Sequence, residues 1–146
     1  MQSSHAPAAL SASCSDPNLI ASAGLVPLVR LAERCELPAL IRRHVDLGAS
    51  TGANPAGKAM SLVAGMCAGA DSIGDMDMLG TGGTHRLFGG IYAPSTLGSF
   101  LRTFTHGHVR QLQAAARRFT ANLIAHAGLI PAGEPIVYLD VDSKIK

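Results

Sequence analysis

A chain of 146 residues and 15.0 kDa is long enough for one core, and 47% hydrophobic content with a mean hydropathy of +0.25 excludes a chain disordered overall. Aromatics make up only 4% with no Trp, so alanine and aliphatic residues must supply the core, which favours close-packed helices. The net charge of +2 says little by itself, while Cys14, Cys35 and Cys67 are odd in number and lack a CxxC pair, which argues against a disulfide framework or a zinc site and for a reducing, cytoplasmic setting.

Residues 1–16 are rich in Ser and Ala and carry no basic residue ahead of an apolar stretch, so they read as a flexible arm and not as a secretory signal. Leu25, Leu28, Val29 and Leu31/Ala32 recur at helical spacing and predict a helix over residues 25–35, with Arg30, Glu33 and Arg34 on its wet face. A second short helix follows. It has Pro38 in its first turn, Leu37, Leu40, Ile41 and Val45 inward, and Arg42, Arg43 and His44 outward. After a flexible connection over residues 48–54, Asn54-Pro55 starts a helix carrying Met60, Leu62, Val63 and Met66, whose Gly57, Gly65 and Gly69 permit close approach by a neighbour. The apolar run over residues 59–70 falls short of the ~20 residues needed to cross a bilayer, so no membrane partner is expected.

Asp71 is placed to cap a helix over residues 72–79 that buries Ile73, Met76 and Leu79. Ser95 is placed to cap another, with Leu97, Phe100, Leu101 and Phe104 at i, i+3, i+4 and i+7. The longest helix is predicted over about residues 108–127. Its seam is Val109, Leu112, Ala116, Phe119 and Leu123, with Arg110, Gln113 and Arg117 opposite and Gly128 as the C-cap. Ile136, Val137, Tyr138 and Leu139 then form an apolar run that passes into alternation through Asp140, Val141 and Asp142, the pattern of a buried strand. A lone buried strand cannot satisfy its own backbone, so the chain is expected to be a truncated one whose sheet needs residues absent here.

Several groups of residues could carry chemistry. Asp140 and Asp142 share one strand face about 7 Å apart, which suits a hard divalent cation such as Mg²⁺ held by oxygen ligands. Asp71, Asp75 and Asp77 lack the glycine and twelfth-position Glu of a calcium loop and read as a cap plus a solvated face. The Gly82-Gly83 and Gly89-Gly90 pairs flank His85, Arg86 and Phe88 without the order of a phosphate-binding loop, and read as tight turns. His106 and His108 have no partners for a metal and read as helix-start residues. Between Asp77 and Glu134 there is no acidic residue. That interval holds Arg86, Arg102, Arg110, Arg117 and Arg118, an electrostatic footprint suited to a polyanion.

The blocks Asp16-Pro17-Asn18-Leu19, Gly24-Leu25-Val26-Pro27 and the stretch from Val63-Ala64-Gly65-Met66 through Asp71-Ser72-Ile73-Gly74-Asp75-Met76-Asp77 appear in an order that resembles the opening of bacterial insertion-sequence DDE transposases. The resemblance continues through Arg86-Leu87-Phe88, Ala93-Pro94-Ser95-Thr96-Leu97 and Phe104-Thr105-His106-Gly107-His108-Val109-Arg110, and so covers nearly the whole chain. It implies an RNase H-like catalytic domain in which two Asp and one Glu hold two Mg²⁺ ions for cutting and joining DNA at the element's ends. Carried over by position, Asp142 followed by Ser143 matches the first catalytic Asp best, with Asp140 as the nearby alternative. Lys144 departs from the family's small hydroxyl residue, and the second Asp and the Glu are missing from the chain.

The expected architecture is thus mainly α, a helical N-terminal domain over residues 17–133 followed over 134–146 by the first β-strand of a truncated RNase H-like α/β domain. The expected function is that of an N-terminal fragment of a DNA transposase, inactive in catalysis alone, with DNA at insertion-sequence ends as its partner through the five arginines. The full-length family is expected to act as a dimer on DNA. A self-contained helical DNA-binding or regulatory module is the alternative.

Overall fold

The computed structural model describes residues 16–48, 53–88 and 90–129. These contain five α-helices, α1 (Leu25–Arg34), α2 (Leu37–His44), α3 (Pro55–Cys67), α4 (Pro94–Arg102) and α5 (His106–Ala127), with 3₁₀ turns at Gly74–Gly80 and Thr84–Arg86 between α3 and α4. The mainly α class is therefore as expected. All but residue 16 of the arm expected over residues 1–16, and the strand expected over 134–146 with Asp140 and Asp142, lie outside the described residues. Among the described residues no helix is long and apolar enough to cross a membrane.

The α1–α2 corner is tight because Glu36 takes a left-handed conformation at φ 63°, so that α2 begins at once with Pro38 in its first turn. Leu37, Leu40 and Ile41 turn inward, and Val45 follows them into the core. On α1 only Leu25 and Ala32 are buried. Leu28 and Leu31 stay 48% and 38% exposed, since α2 and α3 cover one side of this helix and leave the other to solvent.

Asn54 opens α3 as its side chain accepts the Gly57 N–H at 3.0 Å, and Pro55 sits where its missing N–H costs nothing. Apart from Lys58, the buried residues of this helix are small, Ala56, Ser61, Ala64 and Gly65, whereas Met66 is 59% exposed. Small residues let neighbouring backbone come close. A Cβ at Gly65 would overlap the thioether of Met76, which is how the 3₁₀ turn Gly74–Gly80 lies directly on α3. Leu79 and Leu97 are completely buried where that turn and α4 meet α3, each stabilising by about 2 kcal/mol on burial.

Two helix starts differ from expectation. The segment after Asp71 is a 3₁₀ turn, not an α-helix over 72–79, and Ser72 with Asp75, not Asp71, closes it. The Asp75 carboxylate accepts from the Ser72 N–H at 2.9 Å and the Ser72 Oγ–H at 2.6 Å, and the Asp75 N–H donates back to Ser72 Oγ at 3.4 Å, a reciprocal lock that favours the tighter winding. At α4 the N-cap is Ala93 in an extended conformation with Pro94 first inside, so Ser95 is within the helix. Proline's fixed φ makes that start without a side-chain cap.

The longest helix also begins earlier than expected, at His106. Thr105 donates its backbone N–H to Nδ1 of His108 at 3.0 Å, and the His108 ring meets Phe104 edge-on with centroids 6.0 Å apart. Phe104 in turn meets Phe100 edge-on at 5.0 Å, which joins α4 to α5 through an aromatic row. Gly128 closes α5 in the left-handed region, as the sequence predicts.

α5 runs antiparallel to α2. Near its start Gln111 Oε1 accepts the Asp46 N–H at 3.1 Å, and near its end Asn122 and His126 reach the carbonyls of Cys35 and Arg34, each at 3.0 Å. The main core lies between α2, α3, α4 and α5. It includes Leu40, Ile41, Ala56, Phe100 and Ala115, with Leu112 and Phe119 packed on it.

Candidate nucleic-acid interface

The packed stripe of α5 runs through Leu112, Ala115, Phe119 and Asn122. It is turned from the expected seam: Ala115 is buried, Ala116 is exposed, and Val109 is 46% exposed. The polar anchors Gln111 and Asn122 set this rotation, because both must face α2 to reach Asp46 and Cys35. Residues on the far side are uncovered.

At 100° per residue, Arg117 lies about 160° and Arg110 about 140° around the helix from Ala115. The two therefore share the outer face, about 10 Å apart along the axis. Both are exposed. Arg118 is exposed as well but falls about 100° from Arg117, on the flank of the helix. Arg102, in the last turn of α4, folds along its own helix and donates from Nη2 to Ser99 Oγ at 3.3 Å. Arg86 ends the short 3₁₀ turn Thr84–Arg86 and is exposed. Thus the structure brings Arg110 and Arg117 together on one face, with Arg118 on the flank of α5 and Arg102 and Arg86 on other elements.

None of the five arginines forms an ion pair with a carboxylate among the described residues, where the ion pair seen is Arg30 with Glu33 at 3.9 Å. Unpaired guanidinium groups on an open helix face are free to meet phosphate oxygens, which they bind as charged forks. Of the acidic residues nearest in sequence, one is engaged locally. Asp75 is held at its turn, its carboxyl below the usual carboxylate range because the Ser72 hydroxyl donates to it, with smaller contributions from Asp71 and the Ser72 amide.

The carboxylates expected to hold Mg²⁺, Asp140 and Asp142, lie outside the described residues, and among the described ones no three His, Cys, Asp or Glu side chains gather for a metal. Gly82 takes a left-handed conformation at φ 59°, as a tight turn requires, whereas Gly83 serves close packing. Gly83 donates its N–H to the Leu19 carbonyl at 2.7 Å, and a Cβ there would lie 2.7 Å from the Pro17 carbonyl oxygen.

A second feature carries no mark along the chain. Arg30 of α1, Arg42 of α2, and Asn54 and Tyr92 beside α3 line one open groove of about 400 Å³. Next to it Lys58 is only 7% exposed, with its ammonium 5.5 Å from the Phe100 ring centre and 6.0 Å from that of Tyr92. No local signal marks these residues, since they come from separate segments and each reads alone as a wet-face or turn residue. Neither a family model, nor a curated protein, nor a solved structure matches the chain.

Proposed function

We propose that this chain is the N-terminal helical part of an insertion-sequence DDE transposase, and that it contacts DNA through the phosphate backbone. The observation that supports this reading best is the pair Arg110 and Arg117, exposed on the uncovered face of α5 with no carboxylate partner among the described residues. Phosphate contacts of this kind position a protein on a duplex without reading its bases. Arg118, Arg102 and Arg86 add to the positive field around that face and strengthen encounter with a polyanion. Asp142, with Asp140 as the alternative, remains the proposed first carboxylate of the Mg²⁺-dependent catalytic set, on the strength of the resemblance.

The test is binding of the purified chain to a labelled duplex, followed by anisotropy across a salt series. Affinity should fall steeply and linearly on a log–log plot against salt, with a slope of roughly −0.9 for each phosphate neutralised. Affinity indifferent to salt, or no binding in low salt, would sink the proposal.

A further inference from the structure

The open groove described above lies between α1, α2, α3 and residues 87–88 and 90–92, and α5 is absent from its lining among the described residues. Its volume of about 400 Å³ is in the range of small-molecule sites, roughly 300–1,000 Å³. Val29, Met60, Ala64 and Leu79 give it an apolar floor, and Phe88 and Tyr92 an aromatic wall.

Its polar groups are unevenly satisfied. Asn54 spends Oδ1 on the Gly57 N–H and Nδ2–H on the Tyr92 hydroxyl at 3.0 Å, and Ser61 donates to the Gly57 carbonyl at 3.1 Å. The Tyr92 hydroxyl thereby accepts a hydrogen bond, while its own proton has no acceptor among the described residues. Arg42 has no carboxylate partner there, and Arg30 meets Glu33 only at 3.9 Å with both side chains largely in solvent. What is left over is donors. Two guanidinium groups and a phenolic O–H, drawn from three elements, border an apolar floor with one carboxylate between them.

We infer that this groove binds a small organic anion whose flat or apolar body rests on the floor and whose carboxylate or phosphate head meets Arg42 and the Tyr92 hydroxyl. A head of either kind accepts from a planar guanidinium as a bidentate fork, and a body without charge suits the lining below it.

The probe is 1-naphthyl phosphate, titrated into the isotopically labelled full chain and followed by amide NMR. Saturable shifts are expected at Val29, Ser61 and Tyr92. Arg42→Gln should weaken binding roughly tenfold, the loss of one charge-assisted pair, and Tyr92→Phe should weaken it less. Inorganic phosphate and 1-naphthol, each carrying half of the ligand, should each bind at least about tenfold more weakly. Binding by the phosphate ester, by 1-naphthoate, or by both supports the assignment and identifies the head group. Arg42 is exposed on α2, so its replacement should leave the amide spectrum of the free chain folded. The double variant Arg110→Glu with Arg117→Glu should bind the probe as the unaltered chain does, which separates this site from the DNA-contacting face. The inference is overturned by absence of saturable binding, by shifts confined to α5, or by Arg42→Gln binding with unchanged affinity.

Discussion

Asn122 in α5 donates its Nδ2–H across 3.0 Å to the carbonyl of Cys35, 87 residues earlier at the corner between α1 and α2. Cys35 is fully buried. This bond, with that of His126 to the Arg34 carbonyl, satisfies backbone at the end of α1 that its own helix leaves unpaired. Asn122→Ala removes the donor and should destabilise the fold by about 1–2 kcal/mol. Urea unfolding should show a lower midpoint with an unchanged slope; a midpoint equal to that of the parent chain would show that the bond contributes nothing.

Charge reversal at both Arg110 and Arg117 should weaken DNA binding and flatten its salt dependence by about two counterions, because two phosphate contacts are lost together. Reversal of Arg102 alone should do less, since its guanidinium already lies along α4 against Ser99. The measurement is anisotropy of a labelled duplex at several salt concentrations. Equal effects from Arg102 and from the α5 pair would contradict a shared outer face as the contact surface.

The turn at Ser72 and Asp75 should respond to acid. The carboxyl of Asp75 is held below its usual range first by donation from the Ser72 hydroxyl, with smaller contributions from the neighbouring Asp71 and from the Ser72 amide. A depressed folded value means that the carboxylate form is the one the fold favours. Its contribution is therefore fully present above the ordinary aspartate pKa of about 3.9 and is lost as pH falls through the lower folded value. An NMR titration should place the Asp75 midpoint below the ordinary aspartate value, and Ser72→Ala should raise it. If Ser72→Ala leaves the midpoint in place, the hydroxyl is not its cause.

Gly83→Ala should loosen the crossing of residues 17–20 over the 3₁₀ turns. The added methyl meets the Pro17 carbonyl, which is backbone and cannot swing aside as a long side chain could. Such overpacking costs roughly 1–3 kcal/mol where nothing can yield. In the variant, exchange of the amide at position 83 should quicken as its bond to the Leu19 carbonyl lengthens. Unchanged exchange there would mean that the segment accommodates the methyl without moving.

Much of the helical framework is legible along the chain because it depends on neighbours in sequence. The spacing of Leu37, Leu40 and Ile41 places α2, Asn54 before Pro55 places the start of α3, and Gly128 places the end of α5. The starts near residues 72 and 95 were less legible. Several hydroxyl and carboxylate groups compete there to cap, and the winner depends on whether the turn winds as 3₁₀ or α and on where a proline enters.

The sequence by itself determined the mainly α character, the arginine run without acids, and the pairing of Arg110 with Arg117, since seven residues return a helix to nearly the same face whatever surrounds it. Tertiary structure alone decided which flank of α5 is buried and which arginines border the groove. Rotation of a helix about its axis is fixed by the partners it must reach, here Asp46 through Gln111 and Cys35 through Asn122, and such partners lie too far along the chain for local periodicity to report them.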